Sequence, residues 1–433
     1  MIRMLMVCLA FALPAKAATE IVEVTSPGGI TAWLVQEPSI PMVALQLSFR
    51  GGTSIDAPGK AGAINLMTGL LEEGAGDMDA QAFLEAEEAL AARFSYGAYR
   101  DSVSIDAEML TETLDESVEL LRLAMIEPRF DDVAVERVRR QVLSIIDGDA
   151  TDPDSIASKT LREISYAGHP YAASSEGTRE TVEALTRDDL IAAHKAALVK
   201  DRVFVGVVGD ITPERLGELL DQLLGELPNT GPELPGKTSP LLDGGVDIVD
   251  FDVPQSVAVF GHEGISRDDP DFLQAYILFE LFGGSGFSSR LMTEVREKRG
   301  LTYGVYAFLA PSQSAQMVMG SLNSSNETMA EAIDVIRQEW RKIGETGISQ
   351  SELDKAKLFL TGAYPLRFDS NVKIAGILVG LQVVGLPIDY VANRNALVEA
   401  VTLEEANRVA ARIFDADALH FVVVGKPEGL EAR

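Results

Sequence analysis

Two short stretches decide the reading: "VFVGVVGD" (Val203–Asp210) and "HFVVVGKP" (His420–Pro427). Each is an apolar, β-branched run ending in Val-Val-Gly, and Gly209 and Gly425 stand 216 positions apart. A similar helical pattern precedes each at the same offset, "LTRDDLIAAHKAAL" from Leu185 and "VTLEEANRVAARIF" from Val401. Thr186 and Thr402 fall at the N-cap positions, with acids following them at the positive helix end. A third pair, "FSYGAY" (Phe94–Tyr99) and "LTYGVY" (Leu301–Tyr306), is offset by 207. Near-constant offsets in one order indicate two copies of a unit of about 200 residues.

Between the copies, "LPNTGPELPGKTSPLLDGG" (Leu227–Gly245) is rich in Pro, Gly and polar residues and reads as a linker. The expected units are therefore 18–226 and 246–433, joined by 227–245. In the first, "ITAWLVQE" and "MVALQLSFRGG" alternate as strands. Helices are expected over Ala61–Gly74 and Asp79–Ala92, then strands in "RFSYGAY" and "DSVSIDAEM", then helices from Thr113 and Val133. Hairpin strands with grouped helices predict an α+β fold of two homologous domains. Each is a mainly antiparallel sheet with helices packed on it.

The chain opens MIRMLMVCLAFALPAKAATE: Arg3, an apolar run, then Ala15-Lys16-Ala17. This is the pattern of a secretory signal peptide over residues 1–17, so a periplasmic or secreted protein is expected. The run is too short for a span, which needs about 20 residues, and no integral membrane span is expected. The only cysteine, Cys8, lies inside it, so the exported chain must be held by its core without disulfides. The net charge of −29 would become −31 without Arg3 and Lys16, which excludes a nucleic-acid partner.

Self-contained chemistry is scarce. His169, His194, His262 and His420 are the four histidines, and no two are spaced as a helical or hairpin zinc pair. They read as ordinary surface or satisfied residues, with His194 on a polar helix face. No G-x-S-x-G elbow occurs, and "FGGSGFSSRL" (Phe282–Leu291) lacks the ending of a phosphate loop. The helix in "AGAINLMTGLLEEGAG" (Ala61–Gly76) carries Asn65, Thr68 and Gly69 on one face, and an interior glycine costs about 1 kcal/mol against alanine.

That helix, with "GHPYAASSEGT" (Gly168–Thr178), "DPDFLQAYILFELFGGSGFSSRLMTEVREKRGLTYGVYA" (Asp269–Ala307) and the Val-Val-Gly strands, resembles the pitrilysin/insulinase family of zinc peptidases over the whole exported chain. The family's H-x-x-E-H, two zinc-binding histidines and a general-base glutamate, falls on Asn65, Thr68 and Gly69. Its third ligand, a glutamate seven positions after that of a Glu-Arg pair, falls on Leu143, counted from Glu136-Arg137. The resemblance thus implies no metal in this chain. The family's arginine–tyrosine pair is matched by Arg296 and Tyr303, which spacing alone would read as a surface charge and a strand-packing tyrosine. A guanidinium and a phenol hydroxyl are suitable donors to substrate carbonyls and a developing oxyanion. The implied function is a non-catalytic, arginine–tyrosine-bearing subunit that binds extended peptides for a homologous H-x-x-E-H subunit, with zinc in that partner. A stand-alone peptide-binding or chaperone-like protein is the alternative, and a peptidase with unconventional ligands is disfavoured by the histidine count.

Overall fold

The computed structural model describes residues 20–284 and 289–432. The expected signal peptide, residues 1–17, and part of the glycine-rich turn in Phe282–Leu291 lie outside the described residues. The first half begins with β1 (Val22–Thr25), β2 (Thr31–Gln36), β3 (Met42–Arg50), α1 (Ala63–Thr68), β4 (Gly74–Ala75) and β5 (Met78–Asp79). It goes on through α2 (Ala80–Ala89), β6 (Arg93–Ala98), β7 (Ser102–Leu110), α3 (Leu114–Ile126), α4 (Asp132–Asp149) and α5 (Pro153–Ser165). It closes with α6 (Arg179–Ala184), α7 (Arg187–Ala197), β8 (Val203–Gly209) and α8 (Pro213–Leu224).

The second half comes after a stretch without helix or strand. It comprises β9 (Gly245–Asp250), β10 (Gln255–Glu263), α9 (Phe272–Gly283), β11 (Val305–Pro311), β12 (Gln316–Ser325) and α10 (Met329–Thr346). Then come α11 (Gln350–Ala363), α12 (Asn371–Val383), α13 (Tyr390–Ala400), α14 (Leu403–Ile413) and β13 (His420–Gly425). Among the described residues no helix is long and apolar enough to cross a membrane.

The duplication is visible strand by strand. One sheet runs β1-β2-β8-β3-β7-β6 and the other β9-β13-β10-β12-β11, the same order with β1 added. Each is antiparallel except at one junction, made by its last strand: β8 with β2, and β13 with β9. Gly209 and Gly425 end β8 and β13 at φ 148° and 146°, backbone that favours glycine. A Cβ at Gly209 would sit 2.2 Å from the Met42 carbonyl oxygen, and one at Gly425 equally close to Ser256 Oγ. Thr186 and Thr402 cap α7 and α14, each in a reciprocal capping box with the acid three residues on. The 207-residue pair is less regular: Phe94–Ala98 lie in β6, whereas Leu301–Gly304 precede β11.

Both sheets are buried on both faces, which is why β8, β10 and β13 read as continuous apolar runs rather than alternating ones. One face of each packs on helices of its own half. The other is covered by a helix from the opposite half. Ala375, Leu378 and Leu381 of α12 pack on Trp33, Val35 and Val208. Ala157 and Leu161 of α5 pack on Val257, Val259, Val422 and Val424. These two helices begin 218 residues apart, after caps Asp152 and Ser370. They are counterparts, and the halves exchange them. Gly206 in β8 is what lets α12 approach, since a Cβ there would stand 2.5 Å from the Ala375 carbonyl oxygen.

The equivalent hairpins β6–β7 and β11–β12 also meet tip to tip. Asp101 accepts from the Tyr171 hydroxyl at 2.5 Å and from the Gln313 N–H at 3.1 Å, while the Ser314 N–H donates to the Tyr171 oxygen at 2.9 Å. Tyr171 is fully buried, so each of these groups depends on the others for its hydrogen bonds. Tyr171→Phe is expected to destabilise the protein by about 1–3 kcal/mol, because buried partners lose their bonds. Urea unfolding of both proteins measures it, and an unchanged midpoint would show that this tie contributes nothing.

Candidate functional site

The helix expected over Ala61–Gly74 is only six residues long, Ala63–Thr68. After Thr68 the chain tightens into three-residue turns, with the Leu70 N–H donating to the Met67 carbonyl and the Leu71 N–H to that of Thr68. Gly69 is therefore the C-cap, not an interior residue, and carries no interior penalty. The end of α1 is set by the β4–β5 hairpin, which starts at Gly74 with φ 109° and turns the chain away from the helix axis.

The start of α1 is fixed from outside the helix. Asp56 accepts from the Gly62 N–H at 2.7 Å and the Ile64 N–H at 2.9 Å, satisfying donors of the first turn. Burial pushes its carboxyl up to about 6, against the pull of those N–H groups. The segment "GHPYAASSEGT" closes on the same point. A Cβ on Gly62 would lie 2.5 Å from the Glu176 carbonyl oxygen, and one on Gly177 2.3 Å from that of Ala61. The Thr181 hydroxyl donates to the Ala61 carbonyl at 2.8 Å.

The face itself holds nothing that would bind zinc. Thr68 is buried, and its hydroxyl donates to the Ile64 carbonyl one turn back, at 2.7 Å. Asn65 is half-buried. A Cβ at Gly69 would press on Val138 Cγ1 of α4 at 3.2 Å, so α4 packs closely against this end of α1. Leu143, also on α4, packs against the first-half core. Neighbouring charge is spent on structure: Glu73 pairs with Arg137. Among the described residues no three His, Cys, Asp or Glu side chains are gathered to hold a metal. Three neutral side chains and a glycine do not fit a zinc ion.

Three of the four histidines are internal, and His169 is half-buried in its loop. His194 is a core residue, its Nε2 at 2.7 Å from the Met125 carbonyl oxygen and its pKa lowered by burial. It is not on a polar surface face, because α7 turns that side toward α3. His262 and His420 are buried too, and His420 Nε2 lies 2.8 Å from Asp247.

Arg296 and Tyr303 stand in the second half: Arg296 lies in a turn that packs on α10 and β11, and Tyr303 follows it in the chain. Arg296 is half-buried in a π-helical turn, Met292–Glu297. The turn is braced by Glu294, which accepts from Lys298 at 2.7 Å and Arg299 at 3.0 Å and is held below the usual carboxylate range by them. Tyr303 is 81% exposed and so is not a strand-packing residue. Its neighbours Leu301 and Thr302 are buried, and the Thr302 hydroxyl lies 2.7 Å from the Gly304 and 2.6 Å from the Asn323 carbonyl oxygens. The phenol is thus presented outward on an anchored loop. Thr302 and Asp56 escape a reading of the sequence. Both are polar residues next to a motif, but only geometry shows what they hold.

Both halves of the chain match models of known protein families. Residues 32–179 match the family model described as insulinase (peptidase family M16), and residues 184–360 match that of the peptidase M16 inactive domain. The chain is 27% identical over 387 residues to a non-peptidase homologue, YmxG, of Helicobacter pylori, covering 89% of each. It is 21% identical to an uncharacterised zinc protease, YmxG, of Bacillus subtilis, covering 91% of this chain and 95% of that one. The crystal structure of a peptidase M16 inactive-domain protein from Pseudomonas fluorescens superposes with a TM-score of 0.88 at 28% identity. It covers 95% of this chain and 99% of that one.

Asp56 makes the α1 anchor sensitive to pH. Its folded pKa is raised above the ordinary value, so its protonated form favours folding. That stability is fully present below about pH 4 and is lost as pH rises through about 6. The difference is at most roughly 3 kcal/mol, from 1.36 kcal/mol per pKa unit. Asp56→Asn is expected to flatten the change in unfolding midpoint between pH 4 and pH 7. Identical pH profiles for variant and wild type would remove Asp56 from the account.

Proposed function

The chain belongs to the M16, insulinase-type peptidase family, and we propose from this premise that it is a member unable to cut peptides alone. It would act as a subunit that binds and positions extended peptides for a homologous, zinc-bearing H-x-x-E-H chain. The observation that carries the reading is an asymmetry within one molecule. The metal face of α1 is closed by Val138 and emptied of ligands, while Tyr303 stands outward on a loop tied down by Thr302. Zinc and general base would come from the partner, together with the chemistry that activates water. This chain would contribute Arg296 and Tyr303 as N–H and O–H donors to substrate carbonyls, and to charge developing on them. The pattern Ala15-Lys16-Ala17 supports a periplasmic location for the pair.

The test is reconstitution. The chain alone is expected to hold no stoichiometric zinc after chelator washing and to cleave no peptide. Mixed with a homologue that has an intact H-x-x-E-H, it should co-elute in gel filtration and support cleavage. Tyr303→Phe in the mixed pair should lower turnover by up to roughly 10²–10³-fold, the value of one well-aligned donor, with assembly intact. Tightly bound zinc with chelator-sensitive proteolysis by the lone chain overturns the proposal. Full activity of the Tyr303→Phe pair removes the donor role, and peptide binding with no partner effect favours the stand-alone binder.

A further inference from the structure

A groove of about 420 Å³ lies where the second half meets the helices that cross to the first. One wall is α9, with Phe272 and Tyr276; the opposite wall is α12 and the turn after it, with Leu381, Val384 and Leu386. Its floor runs along β11, the outermost strand of its sheet, at Ala307–Leu309. The size and apolar lining are those of a ligand site rather than of a packing defect.

Three arginines face this groove: Arg267, Arg367 and Arg394. Arg394 is only 5% exposed, and arginine is almost never so buried unless paired. Among the described residues it has no carboxylate partner. Its Nη1 donates to the Leu360 carbonyl at 2.8 Å and to Asn395 Oδ1 at 3.2 Å, and its guanidinium stands 4.4 Å over the Tyr364 ring. Arg267 likewise stacks on Phe272 at 4.3 Å. Stacking fixes the guanidinium plane and leaves edge N–H groups for an anion. Among the described residues the one acid on the lining is Glu280, whose carboxyl is pushed up by burial and drawn back by Arg367. In a chain with 66 acids and 37 basic residues, three arginines on the lining of one apolar groove, facing a single carboxylate among the described residues, are a departure.

We propose that this groove binds an apolar carboxylate: a bulky hydrophobic group seated between α9 and α12, its carboxylate held by the arginines. Such a ligand is either the free C-terminus of a peptide ending in large apolar residues or a fatty acid. Burial of the apolar part supplies most of the affinity, and the carboxylate supplies orientation. The site belongs to this chain alone, so its test is independent of any partner subunit.

The test is calorimetric titration of the purified protein with three probes: N-acetyl-phenylalanyl-leucine, the same dipeptide as its C-terminal amide, and dodecanoate. At least one free acid is expected to bind at micromolar concentration, with the amide at least tenfold weaker than the dipeptide acid if the peptide form binds. Val384→Trp, which fills the groove from a solvent-exposed position, should abolish binding. Arg367→Ala, also exposed, should weaken it several-fold, with unchanged melting temperature in both. Binding of the dipeptide without dodecanoate identifies peptide termini as the source; the reverse identifies fatty acids. No binding of either acid at millimolar concentration, equal binding of acid and amide, or binding indifferent to both substitutions would overturn the proposal.

Discussion

The exchange of α5 and α12 between the halves is the constraint on which the rest depends. A sheet with both faces apolar must be covered on both sides, and each half covers only one with its own helices. The second face of each is closed by the counterpart helix of the other, so neither sheet is complete without both copies. The same crossing brings the hairpin tips together around Asp101 and Tyr171. It also forms, between α9, β11 and α12, the arginine-lined groove.

Much of this is legible in the sequence because duplication leaves its mark at residues that cannot vary freely. Gly209 and Gly425 are required by positive φ and by an oxygen standing where a side chain would begin, and the Thr186 and Thr402 caps by the donors of a first helical turn. Those residues carry the offset, and the offset carries the α+β reading. The helix exchange is not legible, because apolar periodicity says that a face is buried and not by which copy. The length of α1 is hidden for a related reason. The apolar spacing of Leu66, Leu70 and Leu71 persists through turns of three-residue pitch, so the pattern outlasts the helix. His194 reads as a surface residue from its own polarity and that of Lys195, but the positions one turn away, Leu190, Ile191, Ala197 and Leu198, are apolar, and its environment is set by Met125 and Phe130 of another segment.

At the candidate site, the sequence names the positions and the structure supplies what became of them. A metal site lost by substitution leaves a cavity, and cavities in packed interiors cost stability unless neighbours move in. Val138 stands close against Gly69 and Leu143 packs on the core, so this face is filled by apolar side chains. The arginine–tyrosine turn is braced by Glu294 and Thr302.

The position of β8 has a consequence for how the chain reaches this state. It lies between β2 and β3, so Val43 pairs with Gly209, 166 positions further on; in the second sheet Val257 waits about as long for Val424. Contacts so distant in sequence are slow to form, since a long loop must close before any pairing rewards it. The strands synthesised first therefore spend longest with open edges. The face of the first sheet that α12 covers stays bare until nearly the whole polypeptide has emerged. Vectorial synthesis therefore gives its N-terminal half little head start toward a closed sheet.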